Sequence, residues 1–203
     1  LVFLALIMAI KQDWQWLRAV RQDQRTRAMF VIIAVLIAIN WFTYIWAVNT
    51  GFIIETSLGY FINPLVSVLL GVIFLKERLR IGQWIAVASA ATGVIYLTIQ
   101  YGALPWIALA LAFSFGIYGL LKKTASLNAL HGLSLETLYL FPIALGYLIY
   151  LEVLSEGHFG HSSANLNLLL ILSGAITAVP LLWFAAAARR IPLSMVGVMQ
   201  YIA

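Results

Sequence analysis

Long apolar runs separated by short polar connections make up almost the whole sequence. Six of these runs are about 20 residues long, the length that an α-helix needs to cross the roughly 30 Å hydrocarbon layer of a bilayer. We predict membrane spans at residues 29–49, 55–75, 81–99, 104–121, 131–151 and 167–188. Residues 1–10 and 193–203 are interpreted as parts of two further spans. The pattern predicts an all-α fold, a polytopic transmembrane helical bundle.

The composition agrees with a membrane protein and argues against a nucleic-acid binder. The chain is 64% hydrophobic and only 9% charged, whereas soluble domains carry about 25% charged residues. Its net charge of +5 would suit an acidic partner if the basic residues shared one face or stripe. They lie instead in the short connections, so the lipid bilayer is the expected partner and nucleic acid is not. The absence of cysteine excludes disulfides and thiolate metal ligands in this sequence.

The positions of the basic residues predict the orientation of the spans. All twelve lie in alternate connections: Lys11, Arg18, Arg21, Arg25 and Arg27; then Lys76, Arg78 and Arg80; then Lys122 and Lys123; then Arg189 and Arg190. Basic residues are retained on the cytoplasmic side of a membrane. We therefore place these connections in the cytoplasm and the 152–165 loop outside, in a multi-pass protein of the bacterial inner membrane.

The connections leave no room for a second globular domain. We therefore predict a single transmembrane domain over residues 1–203. The sequence starts with Leu1 inside an apolar run and stops inside another. Both ends are expected to be cuts through membrane spans.

Acidic residues within or beside the spans are the first candidates for function, because a carboxylate at a helix centre costs about 2.5–3.5 kcal/mol on insertion scales. Glu136 lies five residues into its predicted span, and we interpret it as a substrate-pathway residue that could exchange a proton. The structural alternatives are a hydrogen bond to a neighbouring helix, or a polar pocket shared with His131. Glu55 begins its span on the outer side and is a candidate entrance residue. The helix dipole alone also favours an acid at that position.

Prolines within the spans are the second candidates. Pro64, Pro142 and Pro180 each remove a helical N–H donor. Interrupted helices near the bilayer midplane often mark transporter binding sites, although a kink repaired by neighbouring side chains is equally compatible with the pattern. Pro64 is the most suggestive, because Tyr60 and Asn63 accompany it.

Other polar and aromatic side chains extend the candidate pathway. Asn40 and Tyr44 share one side of their helix because they are four residues apart, and Trp183 offers a similar ring from a later span. His158, His161 and Glu156 could in principle hold a metal in the outer loop, but we interpret this stretch as a solvated loop. No phosphate-binding loop, paired-histidine zinc motif or nucleophile elbow is present. We therefore predict no cofactor, no metal and no catalytic residue.

Five segments carry a resemblance to a known family: NWFTYIWAVN at 40–49, SLGYFINPLVSVLLGVIFLKERL at 57–79, LALAFSFGIYGLLKK at 109–123, LSLET at 133–137 and LNLLLILSGAITAVPLLWFAAAARR at 166–190. They resemble the EamA-type drug/metabolite transporter superfamily, and within it the RarD family. The resemblance implies ten helices in two inverted five-helix repeats around a central cavity. On that plan, residues 1–100 form the end of the first repeat and residues 101–203 most of the second.

These observations together predict a small-molecule transporter or permease for a drug or metabolite, working by alternating access as a secondary transporter. The expected pathway residues are Asn40, Tyr44, Tyr60, Asn63, Pro64, Glu136 and Trp183, with Glu55 at the entrance. A proton is a candidate coupling ion, and the oligomeric state is left open. The alternative is a non-transporting assembly subunit or a membrane-embedded enzyme. An enzyme should place several acids, histidines or a nucleophile at one depth, and here only His131 and Glu136 are close in sequence.

Overall fold

The computed structural model describes residues 1–12, 14–155, 157, 159–161 and 163–202, without the side chain of Ala19. Every regular element in these ranges is an α-helix. The helices are α1 (Val2–Lys11), α2 (Gln15–Gln22), α3 (Gln24–Asn49), α4 (Ile53–Leu75), α5 (Ile81–Tyr101), α6 (Trp106–Thr124), α7 (Ala129–Val153), α8 (Ala164–Arg190) and α9 (Leu193–Met199).

Six of these helices, α3 to α8, are long and apolar enough to cross a membrane. They confirm the six predicted spans, whose ends differ by only a few residues. The short helix α2 was not predicted, because its mixed polar and apolar residues lie inside a connection rich in arginine. Residues 200–202 form a turn after α9, while Ala203, the last residue of the final predicted span, lies outside the described residues.

The described residues divide into two compact units. Unit 1 contains residues 1–34 and 125–186, and unit 2 contains residues 35–124 and 187–203. The expected single domain and its two five-helix repeats stay predictions.

Helix α4 is the centre of unit 2. Its apolar face, formed by Leu58, Ile62, Val66 and Leu70, packs against Ala108 and Ala112 of α6. Two glycines let these helices approach closely. A Cβ atom on Gly59 would lie 3.3 Å from the Ala108 backbone, and one on Gly116 would lie 2.7 Å from a Val66 methyl carbon. Close approach of this kind drives helix association in lipid, where burial of apolar surface gives no advantage.

Unit 1 has a smaller apolar cluster, formed by Leu4 of α1, Leu133 of α7 and Ala178 of α8. Trp16 of α2 stacks on His131 of α7, with the ring centroids 5.0 Å apart. Asp23 begins α3 by accepting the backbone N–H groups of Arg25 and Thr26 at 3.0 and 3.3 Å. The Thr26 hydroxyl also donates to the Asp23 carboxylate. Together these hydrogen bonds lower the pKa of Asp23, and the bond from the Thr26 hydroxyl contributes most. Satisfied N–H groups and an acid immediately before its first turn stabilise the start of this long helix.

Candidate functional site

The candidate site is built around Pro64, in the middle of α4. The helix continues through this residue, and Pro64 itself is fully buried. Next to it, the Asn63 side chain is 9% exposed, and its Nδ2 donates to Oε1 of Gln200 at 3.1 Å. The Oδ1 atom of Asn63 has no hydrogen-bond partner among the described residues. A buried acceptor without a donor costs about 1–3 kcal/mol, which makes this oxygen the first place to look for a ligand.

Helix α9 and the turn after it complete the polar surroundings of Asn63. Gly197 lies so close to α4 that a Cβ atom there would be 2.7 Å from the Pro64 carbonyl oxygen. This approach brings Gln200 to Asn63 and Tyr201 to the neighbouring turn of α4. The Tyr201 hydroxyl donates to the carbonyl oxygen of Phe61 at 2.8 Å. The α4 backbone one turn before its proline is therefore bonded by a side chain from the turn after α9.

The α4 turn before Asn63 carries a tyrosine that contacts a tyrosine of α3. Tyr44 of α3 meets Tyr60 of α4 edge to face, with centroids 5.8 Å apart and planes at 79°. The side chain of Tyr60 is 64% exposed, and it lies one helical turn from Asn63 and Pro64. We call Tyr44, Tyr60, Asn63, Pro64 and Gln200 the α4 site. The structure therefore brings together four of the sequence-predicted pathway residues.

Asn40 lies on α3 but binds α6. Its Nδ2 donates to the Leu111 carbonyl oxygen and to the Ser114 hydroxyl, each at 2.9 Å. The side chain joins two helices, so its donors already have partners inside unit 2.

Glu55 is buried at the start of α4, with 4% exposure. One carboxylate oxygen accepts the Tyr101 hydroxyl at 2.6 Å, and the other accepts the backbone N–H of Ile107 at 3.1 Å. Tyr101 is the last residue of α5, and Ile107 lies in the first turn of α6. The entrance residue predicted from the sequence thus holds the first turn of α6.

Glu136 and Trp183 belong to unit 1. Glu136 is 1% exposed in the second turn of α7, where the neighbouring residues 132–135 are buried as well. Trp183 lies on α8 with 72% of its surface exposed. Their roles in the pathway stay predictions.

The outer loop shows one acid–histidine contact. His161 Nε2 lies 2.6 Å from the Glu152 carboxylate, and both side chains are exposed. No group of three metal-binding side chains occurs in the described part of the chain. His158 and Glu156, the other members of the candidate metal group, lie outside the described residues.

Sequence reasoning missed a second acidic centre, around Glu77. This residue follows α4, and its carboxylate accepts the backbone N–H groups of Leu193 and Ser194 at 2.7 and 2.8 Å. The Ser194 hydroxyl donates to it as well, at 2.7 Å, and Lys123 Nζ lies 3.9 Å from Oε1. In the sequence Glu77 stands among Lys76, Arg78 and Arg80 and has the pattern of a solvated charge. The available signal was one acid in an otherwise basic connection.

The surroundings of Glu77 favour its ionised form. Burial raises the pKa of this carboxyl, but the hydrogen bonds from Ser194 and Leu193 and the charge of Lys123 outweigh burial, so the pKa lies below its ordinary value. Glu77 is therefore a carboxylate at neutral pH.

Six membrane-length helices with a polar site on one of them define a multi-pass helical membrane protein. The sequence profile of the EamA-like transporter family matches residues 1–99. The chain is 51% identical over its whole length to "Uncharacterized transporter YojE" of Bacillus subtilis (strain 168), and covers 68% of that protein. It is 47% identical to "Protein RarD" of Escherichia coli (strain K12), with 98% of this chain and 68% of the relative aligned.

A more distant relative is "Chloramphenicol-sensitive protein RarD" of Pseudomonas aeruginosa, 34% identical, with 100% of this chain and 68% of the relative aligned. No solved structure matches the chain. The chain belongs to the RarD family of EamA-like transporters, and it is a multi-pass protein of the bacterial inner membrane. The resemblance seen in the sequence is thereby confirmed.

Proposed function

We propose that the protein is a secondary transporter that moves a drug or metabolite across the membrane by alternating access. One observation carries the proposal: a buried Asn63 oxygen, without a hydrogen-bond partner among the described residues, lies one turn from the exposed Tyr60 ring, beside a proline in a membrane helix. Unsatisfied polar groups at membrane depth are costly unless a substrate or water compensates them. The family membership supports transport as the general activity.

The α4 site fits a solute with an apolar or aromatic body and at least one N–H or O–H donor. The Tyr44 and Tyr60 rings would pack against the body, since aromatic contacts add about 0.5–1.5 kcal/mol beyond area burial. The Asn63 oxygen would accept the donor. Chloramphenicol is a suitable first probe, because the Pseudomonas aeruginosa relative is named for sensitivity to it.

The remaining predicted residues receive supporting roles. Glu136 is proposed as the protonatable partner, because a buried acid in a membrane helix is a default functional candidate. Asn40 and Trp183 are proposed to line the path, and Glu55 to lie at its entrance. Alternating access would use the two five-helix repeats, of which residues 1–100 and 101–203 are the expected parts.

The test is flux through the whole protein in right-side-out and inside-out vesicles. Chloramphenicol, other amphipathic drugs and amino-acid-like metabolites are supplied with and without a proton gradient. We expect gradient-dependent flux that Asn63→Leu reduces at least about tenfold, as the loss of one well-placed hydrogen bond to a substrate predicts. Glu136→Gln should remove the dependence on the proton gradient.

Leu69→Ala is the matched control on the same helix, because Leu69 is exposed. Flux that survives Asn63→Leu would remove the α4 site from the pathway. Unchanged gradient dependence in Glu136→Gln would remove its proton role. Absence of flux for every solute, from folded and correctly oriented protein, would favour a non-transporting subunit or a membrane enzyme.

A further inference from the structure

The two ends of α4 carry the same kind of contact. At the start of α4, Glu55 accepts the N–H of Ile107, which is two residues after Pro105. Beyond its end, Glu77 accepts the N–H of Ser194, which is two residues after Pro192. Each acid thus bonds the beginning of a later helix, α6 in one case and α9 in the other. We call these the outer contact (Glu55, Tyr101, Ile107) and the inner contact (Glu77, Lys123, Leu193, Ser194).

The inner contact includes both sides of the turn between α8 and α9. Glu77 accepts the N–H groups at the start of α9, while Lys123 Nζ donates to the carbonyl oxygens of Ala188 and Ile191 at 3.1 and 2.6 Å. An anion therefore meets the positive end of one helix dipole and a cation meets the negative end of the other. Because Glu77 and Lys123 are also 3.9 Å apart, the four elements α4, α6, α8 and α9 meet at one cluster of charges.

Glu77 reaches this position by folding back over α4. Lys76 adopts a left-handed conformation, with φ of 54°, and the Glu77 N–H donates to the Gly71 carbonyl oxygen at 3.1 Å. A Cβ atom on Gly71 would lie 2.7 Å from the Glu77 carboxylate and 3.0 Å from the Ser194 nitrogen. The glycine leaves the space in which the carboxylate and the α9 backbone meet.

The charge pattern places the two contacts on opposite sides of the membrane. The inner contact joins the connections around Lys76, Lys123 and Arg190, all basic and hence cytoplasmic. The outer contact joins connections that carry no basic residue. Helix α4 therefore has one glutamate contact at each face, with the α4 site between them.

We infer that Glu55 and Glu77 are positioning residues that close the outer and inner ends of the α4 site, and that breaking one contact opens the site to that side. This inference rests on the proposed function, since a transporter must expose its site to each face in turn. The inner contact reaches the site through α9, because the helix that Glu77 holds at Ser194 leads to Gln200, the partner of Asn63. A contact made in only one of two states biases the equilibrium between them.

Thiol labelling from the two sides of the membrane tests the inference without requiring transport. These 203 residues contain no cysteine. Any cysteine in the rest of the whole protein is first replaced by serine, so that Tyr60→Cys introduces a single reporter thiol in the α4 site. The whole protein is labelled with a membrane-impermeant maleimide in inside-out and right-side-out vesicles. We expect Glu77→Gln to raise cytoplasmic labelling about tenfold and to lower external labelling, as loss of a charge-assisted hydrogen bond predicts. Glu55→Gln should have the opposite effect on the two sides.

The controls separate positioning from general loosening. Glu152→Gln removes an exposed acid of the outer loop and should change neither rate. Ser194→Ala removes only one hydroxyl donor to Glu77 and should shift labelling in the same direction as Glu77→Gln but less, which keeps the test valid if Glu77→Gln folds poorly. Equal changes on both sides, or no change in Ser194→Ala and Glu55→Gln, would overturn the inference.

The outcomes also distinguish this inference from the proposed function. Opposite labelling shifts without flux of any solute would support the two contacts and contradict transport. Flux without labelling shifts would support transport and contradict the positioning roles of Glu55 and Glu77.

Discussion

The two interfaces of α4 differ in chemistry. Towards α6 the contact is apolar and close, with Leu58, Ile62, Val66 and Leu70 against alanines. Towards α9 the contacts include hydrogen bonds, among them Asn63 with Gln200 and Glu77 with Ser194. Apolar packing depends on shape and changes little without a cost along the whole interface. Hydrogen bonds between individual groups can be exchanged one at a time for water or ligand. The comparison indicates that the apolar packing of the middle of α4 on α6 is the more constant contact, whereas the hydrogen bonds at its ends and towards α9 are the ones that can be exchanged.

The largest effect on stability is expected at the α6 interface. Leu70→Ala removes a buried side chain and should lower the free energy of unfolding by about 2–5 kcal/mol. Thermal unfolding in detergent measures the loss. The exposed neighbour Leu69 provides the control, since Leu69→Ala removes the same atoms from a half-exposed position. Equal losses in both variants would contradict the packing described for α4 and α6.

A smaller effect is expected where α9 crosses α4. Gly197→Ala would place a Cβ atom 2.7 Å from the Pro64 carbonyl oxygen, and overpacking of this kind costs about 1–3 kcal/mol. Because backbone rather than a flexible side chain is in the way, α9 should shift and weaken the bond between Asn63 and Gln200. The control is Gly93→Ala on α5, where a Cβ atom meets nothing within 4 Å. Thermal unfolding and chloramphenicol flux are both measured. If Gly197→Ala keeps both its stability and its flux, the close crossing of α9 over α4 is contradicted.

Glu77 should give part of the stability a dependence on pH. Its pKa is lowered from an ordinary value of 4.5, so the folded state favours the ionised form more than the unfolded state does. The resulting stabilisation is fully present above the ordinary pKa and is lost as pH falls through the folded-state pKa. We expect about 1 kcal/mol, because solvent screens part of the interaction. The free energy of unfolding of the native protein and of Glu77→Gln is measured from neutral pH into the acid range. If it depends on pH with the same slope in both proteins, Glu77 is not the source of this pH dependence.

The smallest effect on stability is expected at the residue with the largest expected effect on transport. Asn63→Leu removes one hydrogen bond to Gln200 and an acceptor for which the described part of the chain provides no donor. Removal of the unpaired buried acceptor offsets the loss of that hydrogen bond, because a buried polar group without a partner is itself destabilising. Unfolding should therefore change little while flux falls. A large loss of stability would mean that Asn63 serves packing rather than solute binding.

Much of the candidate site could be predicted from residue type and depth. Tyr60, Asn63 and Pro64 share neighbouring turns, and the 3.6-residue period of a helix places them together. The roles of Asn40 and Glu55 in joining helices could not be predicted. The partners of Asn40 lie 71 and 74 residues away, and the closer partner of Glu55 lies 46 residues away. Spacing along one helix carries no information about which other helix faces it.

The sequence by itself determined the membrane spans and, with the resemblance, the family, because hydropathy and span length are local properties set by the thickness of the bilayer. It also predicted the orientation of the spans from the positions of the basic residues. Only the tertiary structure decided that Glu77 meets Ser194, 117 residues further along the chain, and that the Gln200 amide reaches Asn63. The physical reason is that helix faces in lipid pair through close packing and hydrogen bonds between particular atoms. Those pairs form only when the chain has folded.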